Sequence, residues 1–290
     1  KENAPAYNRK IEEIIMRRLS RSTTLLFLAV FFVFARDAQA GPIADKNLET
    51  AIRAVLQEPK ADLTDEKLAN VYVLEANGKG IKDLTGLEKC KNLADLKLAK
   101  NEITDVKALK DLTNLQLLDL SGNKIADIAP LAGLVKLQYL ELSDNQITKV
   151  KPLAGLGAAL TSLYLGGNKI VSIGPIGNLS RLSSLHLARN QIEDISALWN
   201  VTHLSVLDLK ENKIDDIGPL AKQTELSILM MEKNQIDDLT PLLKACQADA
   251  AGPKRFAPYL RLYLAGNPLS EPAKKTQLEE LKKIGVRVEG

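Results

Sequence analysis

The chain has 290 residues, of which 45% are hydrophobic but only 4% are aromatic, so leucine and isoleucine must fill its core. Its formal net charge is +3, and this excess lies in residues 1–40, because the basic and acidic residues from Gly41 onward are equal in number. A body without net charge excludes the general cationic excess that makes nucleic-acid binding the default expectation.

A secretory signal peptide is predicted near the start of the chain. Met16 is followed by the arginine-rich segment 17–21, by the unbroken apolar run 25–35, and by a small-x-small cleavage site at 38–40. A membrane anchor is the alternative interpretation. The apolar run is shorter than the roughly 20 residues that a bilayer span needs, which favours the signal peptide.

These motifs divide the first part of the chain into two segments. Residues 1–15 fit no export signal, and we interpret them as an upstream segment that is untranslated or non-native. Residues 16–40 are the predicted leader. We therefore expect the mature chain to begin at Gly41 and to have no stable membrane span.

A helical N-terminal cap is predicted over residues 41–68. The segment 47–56 has the apolar spacing of an amphipathic helix. Leu48, Ile52, Val55 and Leu56 lie on one face of this predicted helix. The segment 78–84 that follows is a degenerate first repeat, with Lys79 at the position that later repeats give to asparagine.

Eight asparagines recur along the chain at a nearly constant spacing. They are Asn101, Asn123, Asn145, Asn168, Asn190, Asn212, Asn234 and Asn267. The successive spacings are 22, 22, 23, 22, 22, 22 and 33 residues, and the asparagines lie in the pattern L-x-x-L-x-L-x-x-N-x-I. Self-similarity at this period is typical of a leucine-rich-repeat solenoid. We predict one degenerate and eight regular repeats over residues 69–270.

Each repeat predicts one short strand and one irregular return. The L-x-L alternation places leucines on one face of a strand, and neighbouring repeats pair these strands into a curved parallel sheet. A buried asparagine has both donors and an acceptor, so it can satisfy backbone groups in the turn after each strand. Prolines such as Pro130 and Pro152 favour short 3-10 or irregular segments on the convex side. The predicted fold class is an α/β repeat solenoid with a structural ladder of asparagines.

The last repeat and the C-terminus depart from this pattern. The final spacing contains an insertion at about 246–258, which is polar and contains glycine and proline. We expect a surface loop there, either part of a binding face or a tolerated insertion. Ser270 is typical of a helix N-cap and Gly285 of a helix C-terminus, so residues 271–290 are predicted to form a helical cap.

The sequence contains no recognisable catalytic or metal-binding motif. His186 and His203 are 17 positions apart, which is not a metal-ligand spacing. Cys90 occupies a core leucine position, whereas Cys246 is expected to be an exposed thiol about seven repeats away. That separation, on the order of 30 Å, is too large for a disulfide. We expect no enzymatic activity, no cofactor and no metal.

The concave face of the predicted sheet carries the candidate binding residues. Its central column reads Glu75, Lys97, Asp119, Glu141, Tyr164, His186, Asp208, Met230 and Tyr263. The column two positions earlier reads Val73, Asp95, Leu117, Tyr139, Ser162, Ser184, Val206, Ile228 and Arg261. Exposed aromatic residues are typical anchors of protein interfaces, although ordinary variation of a strand surface is the alternative. The predicted protein-binding residues are Tyr139, Glu141, Tyr164, His186, Asp208, Met230, Arg261 and Tyr263.

These repeats resemble those of bacterial internalins and of phosphatase-regulatory leucine-rich-repeat proteins, which share the repeat length. The helical segment before them is similar to the N-terminal cap of internalins. The resemblance covers nearly all of the chain after the leader and implies a module that recognises a protein partner. Together with the leader, it predicts an exported protein that is secreted, periplasmic or at the cell surface. We expect a monomer that binds no nucleic acid. An intracellular regulatory subunit and a carbohydrate-binding surface protein are the alternatives.

Overall fold

Residues 41–289 are described by the computed structural model, and they contain one parallel sheet of ten short strands in chain order. The strands are β1 Val73–Glu75, β2 Asp95–Lys97, β3 Leu117–Asp119, β4 Tyr139–Glu141, β5 Ser162–Tyr164, β6 Ser184–His186, β7 Val206–Asp208, β8 Ile228–Met230, β9 Arg261–Tyr263 and β10 Arg287–Glu289. The predicted leucine-rich-repeat solenoid is confirmed. The tenth strand was not predicted, because the segment that forms it was assigned only to a helical cap.

The leucines of the repeat pattern form one continuous core along the solenoid. In β3, the middle residue Leu118 is fully buried, whereas Leu117 and Asp119 on either side of it are partly exposed. Leu115 and Leu120 are also fully buried. Burying one such side chain stabilises the fold by roughly 1.5–3 kcal/mol, so repetition of the pattern accounts for the solenoid without any disulfide.

The asparagine ladder connects each strand-end turn to its neighbour. Asn168 is 7% exposed, and its Nδ2 donates to the carbonyl oxygens of Leu142 and Leu165, each at 3.0 Å. Its Oδ1 accepts the backbone N–H of Ile147 at 3.0 Å. The same bonds recur from Asn101 onward, and Asn267 at the last rung is only partly buried. One side chain thus serves backbone groups of two successive repeats.

The residue before each ladder asparagine lies in the left-handed region of φ. Asp144, Gly167 and Arg189 have φ of 56°, 66° and 57° in successive repeats. The Arg189 guanidinium forms an ion pair with Asp144 at 2.9 Å, across the intervening repeat. A Cβ on Gly167 would lie 2.2 Å from Asp144 Oδ1, so the glycine leaves the space that this ion pair occupies.

The convex side is built from short 3-10 segments, as predicted. They span Leu87–Lys89, Lys107–Leu109, Ala129–Gly133, Lys151–Leu156, Gly174–Asn178, Ser196–Asn200, Gly218–Lys222 and Ala257–Tyr259. Four of the five longer segments, which have five or six residues, have proline in their first turn, where its missing N–H costs no hydrogen bond. These compact returns keep the strands of neighbouring repeats in register.

A helix covers the first strand of the sheet. Helix α1, Lys46–Leu56, begins after Asp45, whose carboxylate accepts the backbone N–H groups of Asn47 and Leu48. Leu48 and Ile52 are fully buried, whereas Val55 on the same face is 43% exposed. Leu56 in the last turn is partly buried and packs against the core, so Val55 is the exposed member of this apolar face. A single helical turn, α2 Asp65–Leu68, completes the cap.

The insertion begins with a helix rather than with a loop. Helix α3, Thr240–Ala251, contains Cys246, which is fully buried instead of exposed as predicted. Burial and the nearby Asp249 carboxylate raise the pKa of the Cys246 thiol to about 12. The expected surface loop over 246–258 is therefore wrong in its first half. Leu242 and Leu243 of the same helix are buried in the core, and Cys246 lies on the side of the helix that they bury.

The turn after α3 is organised by a buried carboxylate. Asp249 is 4% exposed and accepts the backbone N–H groups of Arg255, Phe256 and Ala257 at 3.0, 3.1 and 3.0 Å. Burial alone raises the pKa of Asp249, but these three N–H groups outweigh it and lower the pKa below its usual value. Phe256 is 1% exposed, so the inserted segment closes onto the core.

The C-terminal cap is helical and leads into the last strand. A π-helical turn, Ala273–Gln277, runs into helix α4, Leu278–Ile284, with Leu281 buried against the core. Gly285 ends the helix, as predicted, and its φ of 109° lies in the left-handed region that favours glycine. The chain then turns back to form β10, which pairs in parallel with β9.

Candidate functional site on the concave face

The strand register brings the predicted central column onto one face. Glu141 of β4 is the register partner of Tyr164 in β5, which is the partner of His186 in β6, and His186 is in turn the partner of Asp208 in β7. Met230 of β8 continues the column. Neighbouring strands of a sheet lie roughly 4.8 Å apart, so these side chains form one continuous row.

Three rings form a stack in the middle of this face. The Tyr139 and Tyr164 ring centroids are 5.1 Å apart with an interplanar angle of 39°. The Tyr164 and His186 centroids are 4.5 Å apart and nearly parallel, at 17°. Each ring belongs to a different strand, and each residue remains partly exposed. Offset and tilted ring pairs stabilise their own arrangement, so this aromatic stack presents a pre-formed apolar surface.

Polar side chains hold the stack on its C-terminal side. Ser184 Oγ lies 3.1 Å from His186 Nε2, and Asp208 Oδ2 lies 3.8 Å from His186 Nδ1. Asp208 is 7% exposed and also contacts Lys210, through the backbone N–H at 3.1 Å and the ammonium at 3.6 Å. Burial raises the pKa of Asp208, but His186 and Lys210 outweigh it and lower the pKa below its usual value.

The order serine, histidine, aspartate invites comparison with a hydrolytic triad. The Nδ1–Oδ2 separation of 3.8 Å is too long for the hydrogen bond that orients the histidine of such a triad. The N–H groups of Ser184 and Leu187 donate to the carbonyl oxygens of Thr161 and Asp208 in the sheet, so they cannot stabilise an oxyanion. This arrangement positions an aromatic surface rather than an activated nucleophile.

A partly buried carboxylate lies on the N-terminal side of the stack. Burial raises the pKa of Glu141 above its usual value, and repulsion by Asp119 adds to this, although hydrogen bonds from Ser143 and the charge of His186 act in the opposite direction. The backbone N–H of Ser143 donates to Glu141 Oε1 at 2.8 Å. Glu141 therefore faces the concave side as an incompletely compensated negative charge.

The remaining predicted residues lie further along the same face. Arg261 and Tyr263 are in β9, five strands from Tyr139, which corresponds to roughly 24 Å. Arg261 Cζ is 5.7 Å from the Tyr263 ring centroid, and its guanidinium lies 3.8 Å from Glu289 of β10. The structure therefore places Arg261 and Tyr263 in a second group, apart from the aromatic stack.

Three contributors to this face were missed as site residues. Ser184 was recognised as a concave residue but not as a partner of His186, and Glu289 belongs to the strand that was not predicted. Lys210 follows β7 and reaches back to Asp208. Its position two residues after a concave carboxylate was a usable signal, since strand residues two apart share a face.

Within residues 41–289, no group of three or more histidine, cysteine or acidic side chains could hold a metal ion. No helix in the same range is long and apolar enough to cross a membrane.

Comparisons with known proteins agree with the repeat architecture. A family model of two-copy leucine-rich repeats matches residues 113–155 and 159–198, and two further leucine-rich-repeat models match 81–125 and 202–218. The solved structure of an internalin C2 from Listeria monocytogenes is 36% identical, with a TM-score of 0.67, over 69% of this chain and 89% of that chain. A search of curated proteins finds no match.

Two more distant structures share the fold alone. A leucine-rich-repeat protein from Leptospira interrogans is 20% identical with a TM-score of 0.60, over 78% of this chain and 62% of that chain. The leucine-rich-repeat ectodomain of a plant membrane receptor kinase from Arabidopsis thaliana is 23% identical with a TM-score of 0.60, over 78% of this chain and 28% of that chain.

Proposed function

Because this chain belongs to the leucine-rich-repeat proteins, in the internalin-like family, we propose that it binds a protein partner on the concave face of its sheet. Modules of this kind typically bind proteins, and the fold is generally non-catalytic. The observation that carries the proposal is the aromatic stack of Tyr139, Tyr164 and His186. Sequence identity with an internalin supports protein binding as the class of function. The aromatic stack supports the concave face as the location of the binding surface.

The physical argument rests on pre-organisation. Side chains that are already held by stacking and hydrogen bonds lose little conformational freedom when a partner covers them, which favours affinity. Tyr164 is held between Tyr139 and His186, and His186 is held by Ser184. Aromatic residues surrounded by polar groups are the usual energetic centres of protein interfaces. The face requires no cofactor or catalytic step for this role.

Binding should depend on the concave side chains and not on the core. In the double variant Tyr164→Ser and Met230→Ser, both changes lie at partly exposed positions of the central column. We expect at least tenfold weaker binding, as for the loss of one interface anchor. A matched control is Val135→Ser with Val171→Ser, because these exposed residues (49% and 56%) lie outside the strands.

The partner would first be captured from an extract of the native source with the full chain immobilised, and identified by mass spectrometry. Affinities of the wild type, the double variant and the control would then be measured by calorimetry, with circular dichroism as the folding check. Unchanged affinity in a folded double variant would move the binding surface away from the concave face. A partner that proves to be a glycan would favour the carbohydrate-binding alternative.

Export of the protein is a separate part of the proposal. It is supported by the cationic, apolar and small-residue segments between Met16 and Ala40, which lie outside the described residues. Cell fractionation would detect the protein in the periplasm, in the medium or on the cell surface. Recovery of the intact chain from the cytoplasm alone would favour the intracellular regulatory alternative.

A further inference from the structure

Two tyrosines and two carboxylates meet on the concave face of strands β3–β5. Asp119, Glu141 and Tyr164 are register partners in the central column of these three strands. Tyr139 lies on the same face of β4, two residues before Glu141, and its ring is 5.1 Å from that of Tyr164. We name these four residues the tyrosine–carboxylate cluster.

The charge of this cluster is not balanced on its own strands. The six concave positions of β3–β5 are Leu117, Asp119, Tyr139, Glu141, Ser162 and Tyr164, and none of them is basic. On the neighbouring strand β2, Lys97 is the register partner of Asp119 but forms its salt bridge with Glu75. The face therefore presents two negative charges next to two aromatic rings.

The two carboxylates are held in place by neutral donors. Asp119 Oδ1 accepts the N–H and the hydroxyl of Ser121 at 2.9 and 2.7 Å. Glu141 Oε1 accepts the N–H of Ser143 at 2.8 Å. These bonds use one oxygen of each carboxylate and fix its orientation. The raised pKa of Glu141, caused mainly by burial and in part by repulsion from Asp119, indicates that an additional positive charge would be favourable here.

We propose that the tyrosine–carboxylate cluster binds an arginine side chain of the protein partner, an inference that rests on the proposed concave-face function. A guanidinium is planar, so it can stack on a tyrosine ring while its N–H groups donate to a carboxylate beside the ring. Tyr164 is covered by Tyr139 on one side and by His186 on the other, so Tyr139, at the open end of the stack, supplies the ring. Glu141, two residues after Tyr139 on the same face of β4, supplies the carboxylate. A lysine ammonium is more strongly hydrated and lacks a stacking plane, which makes it the weaker ligand.

The proposal is tested with a small probe, N-acetyl-arginine methylamide, titrated into the full chain and followed by nuclear magnetic resonance. We expect saturable shifts of the Tyr139 and Tyr164 ring signals that weaken as ionic strength rises. N-acetyl-citrulline methylamide has the same shape without the charge. It should bind about tenfold more weakly, as expected for the loss of a charge-assisted contact.

Variants distinguish binding of the arginine probe at the cluster from nonspecific electrostatic attraction of the probe to the protein. Glu141→Gln preserves the shape and the oxygen that accepts from Ser143, and it should weaken arginine binding about tenfold. Asp111→Asn is the control, because it removes one negative charge at an exposed position outside the strands, away from the cluster. Its affinity for the probe should equal that of the wild type, and circular dichroism verifies that both variants are folded.

Several outcomes would overturn the proposal. They are equal binding of the citrulline probe, equal or tighter binding of N-acetyl-lysine methylamide, and unchanged arginine binding by Glu141→Gln. The result is independent of the partner experiment above. If the double variant Tyr164→Ser with Met230→Ser keeps its partner affinity while the wild-type chain binds the arginine probe, the concave-face function is refuted and arginine binding by the cluster stands. Loss of partner affinity without any arginine binding would do the reverse.

Discussion

Removal of one ladder asparagine should lower the free energy of unfolding of the solenoid by an amount that can be estimated from the hydrogen bonds that are lost. In Asn168→Ala, the carbonyl oxygens of Leu142 and Leu165 each lose one donor. Both carbonyls keep a second ladder donor, from Asn145 and Asn190 respectively, at 3.0 Å in each case. The carbonyl groups therefore remain satisfied in the variant.

The N–H of Ile147 has no such substitute. It donates to Asn168 Oδ1 at 3.0 Å in a buried position, and alanine offers no acceptor there. Leaving one buried backbone donor unpaired costs about 1–3 kcal/mol. We expect Asn168→Ala to lower the free energy of unfolding by that amount. Asn267 Oδ1 accepts two backbone N–H groups, from Asn234 and Ile236, each at 3.2 Å. We expect Asn267→Ala to lower the free energy of unfolding less, because this last rung is only partly buried and water can replace the lost acceptor.

Urea denaturation followed by far-ultraviolet circular dichroism measures these differences. Asn200→Ala is the control, since Asn200 is exposed at the end of a convex segment, and surface changes usually stay within about 0.5 kcal/mol. If Asn168→Ala shifts the midpoint no more than Asn200→Ala does, the ladder bonds do not contribute as described. A larger loss for Asn267→Ala than for Asn168→Ala would contradict the argument from burial.

Three further predictions concern the core, the insertion and the leader. Gln223 is 1% exposed and donates to the Leu198 carbonyl, but its Oε1 is buried without a partner, so Gln223→Leu should stabilise the protein by about 1 kcal/mol in urea denaturation, and a lower midpoint would contradict this. Asp249→Asn should cost about 1–3 kcal/mol at pH 7. Because folding lowers the pKa of Asp249, its stabilising effect is present above its usual pKa near 3.9 and is lost as the pH falls below it. The two proteins should therefore approach each other in stability below about pH 4, and a constant difference down to pH 2 would refute the charge argument. Finally, N-terminal sequencing of the exported protein should begin at Gly41, and a longer N-terminus would contradict the predicted cleavage site.

The strand register could be predicted because one motif encodes it repeatedly. In L-x-L, the leucines must enter the core, so the residue between them must face outward, and constant spacing aligns these residues in neighbouring repeats. This reasoning placed Tyr164 and His186 in one column, as the structure has them. It could not predict which rings stack, because that depends on side-chain rotamers on adjacent strands.

The parts that escaped prediction lack the repeated motif. Strand β10 has the sequence Arg-Val-Glu, whose single apolar residue, Val288, gives no alternation to recognise. In the insertion, the mixture of polar residues with Gly252 and Pro253 suggested a loop throughout. Helix α3 nevertheless continues to Ala251, because Leu242, Leu243 and Cys246 bury one side of it. Tertiary packing decides the structure wherever local periodicity is weak.

The ion pair between Asp144 and Arg189 has a consequence for how the solenoid comes apart. Stacked repeats interact mainly with their immediate neighbours, so fraying from either end proceeds one unit at a time. This ion pair joins two units that are not neighbours and passes over Gly167 between them. An exposed pair contributes at most about 1 kcal/mol. The pair therefore adds a small stabilisation between the first and third of the three units that carry the aromatic stack, so these units should fray slightly later on heating than they would without it.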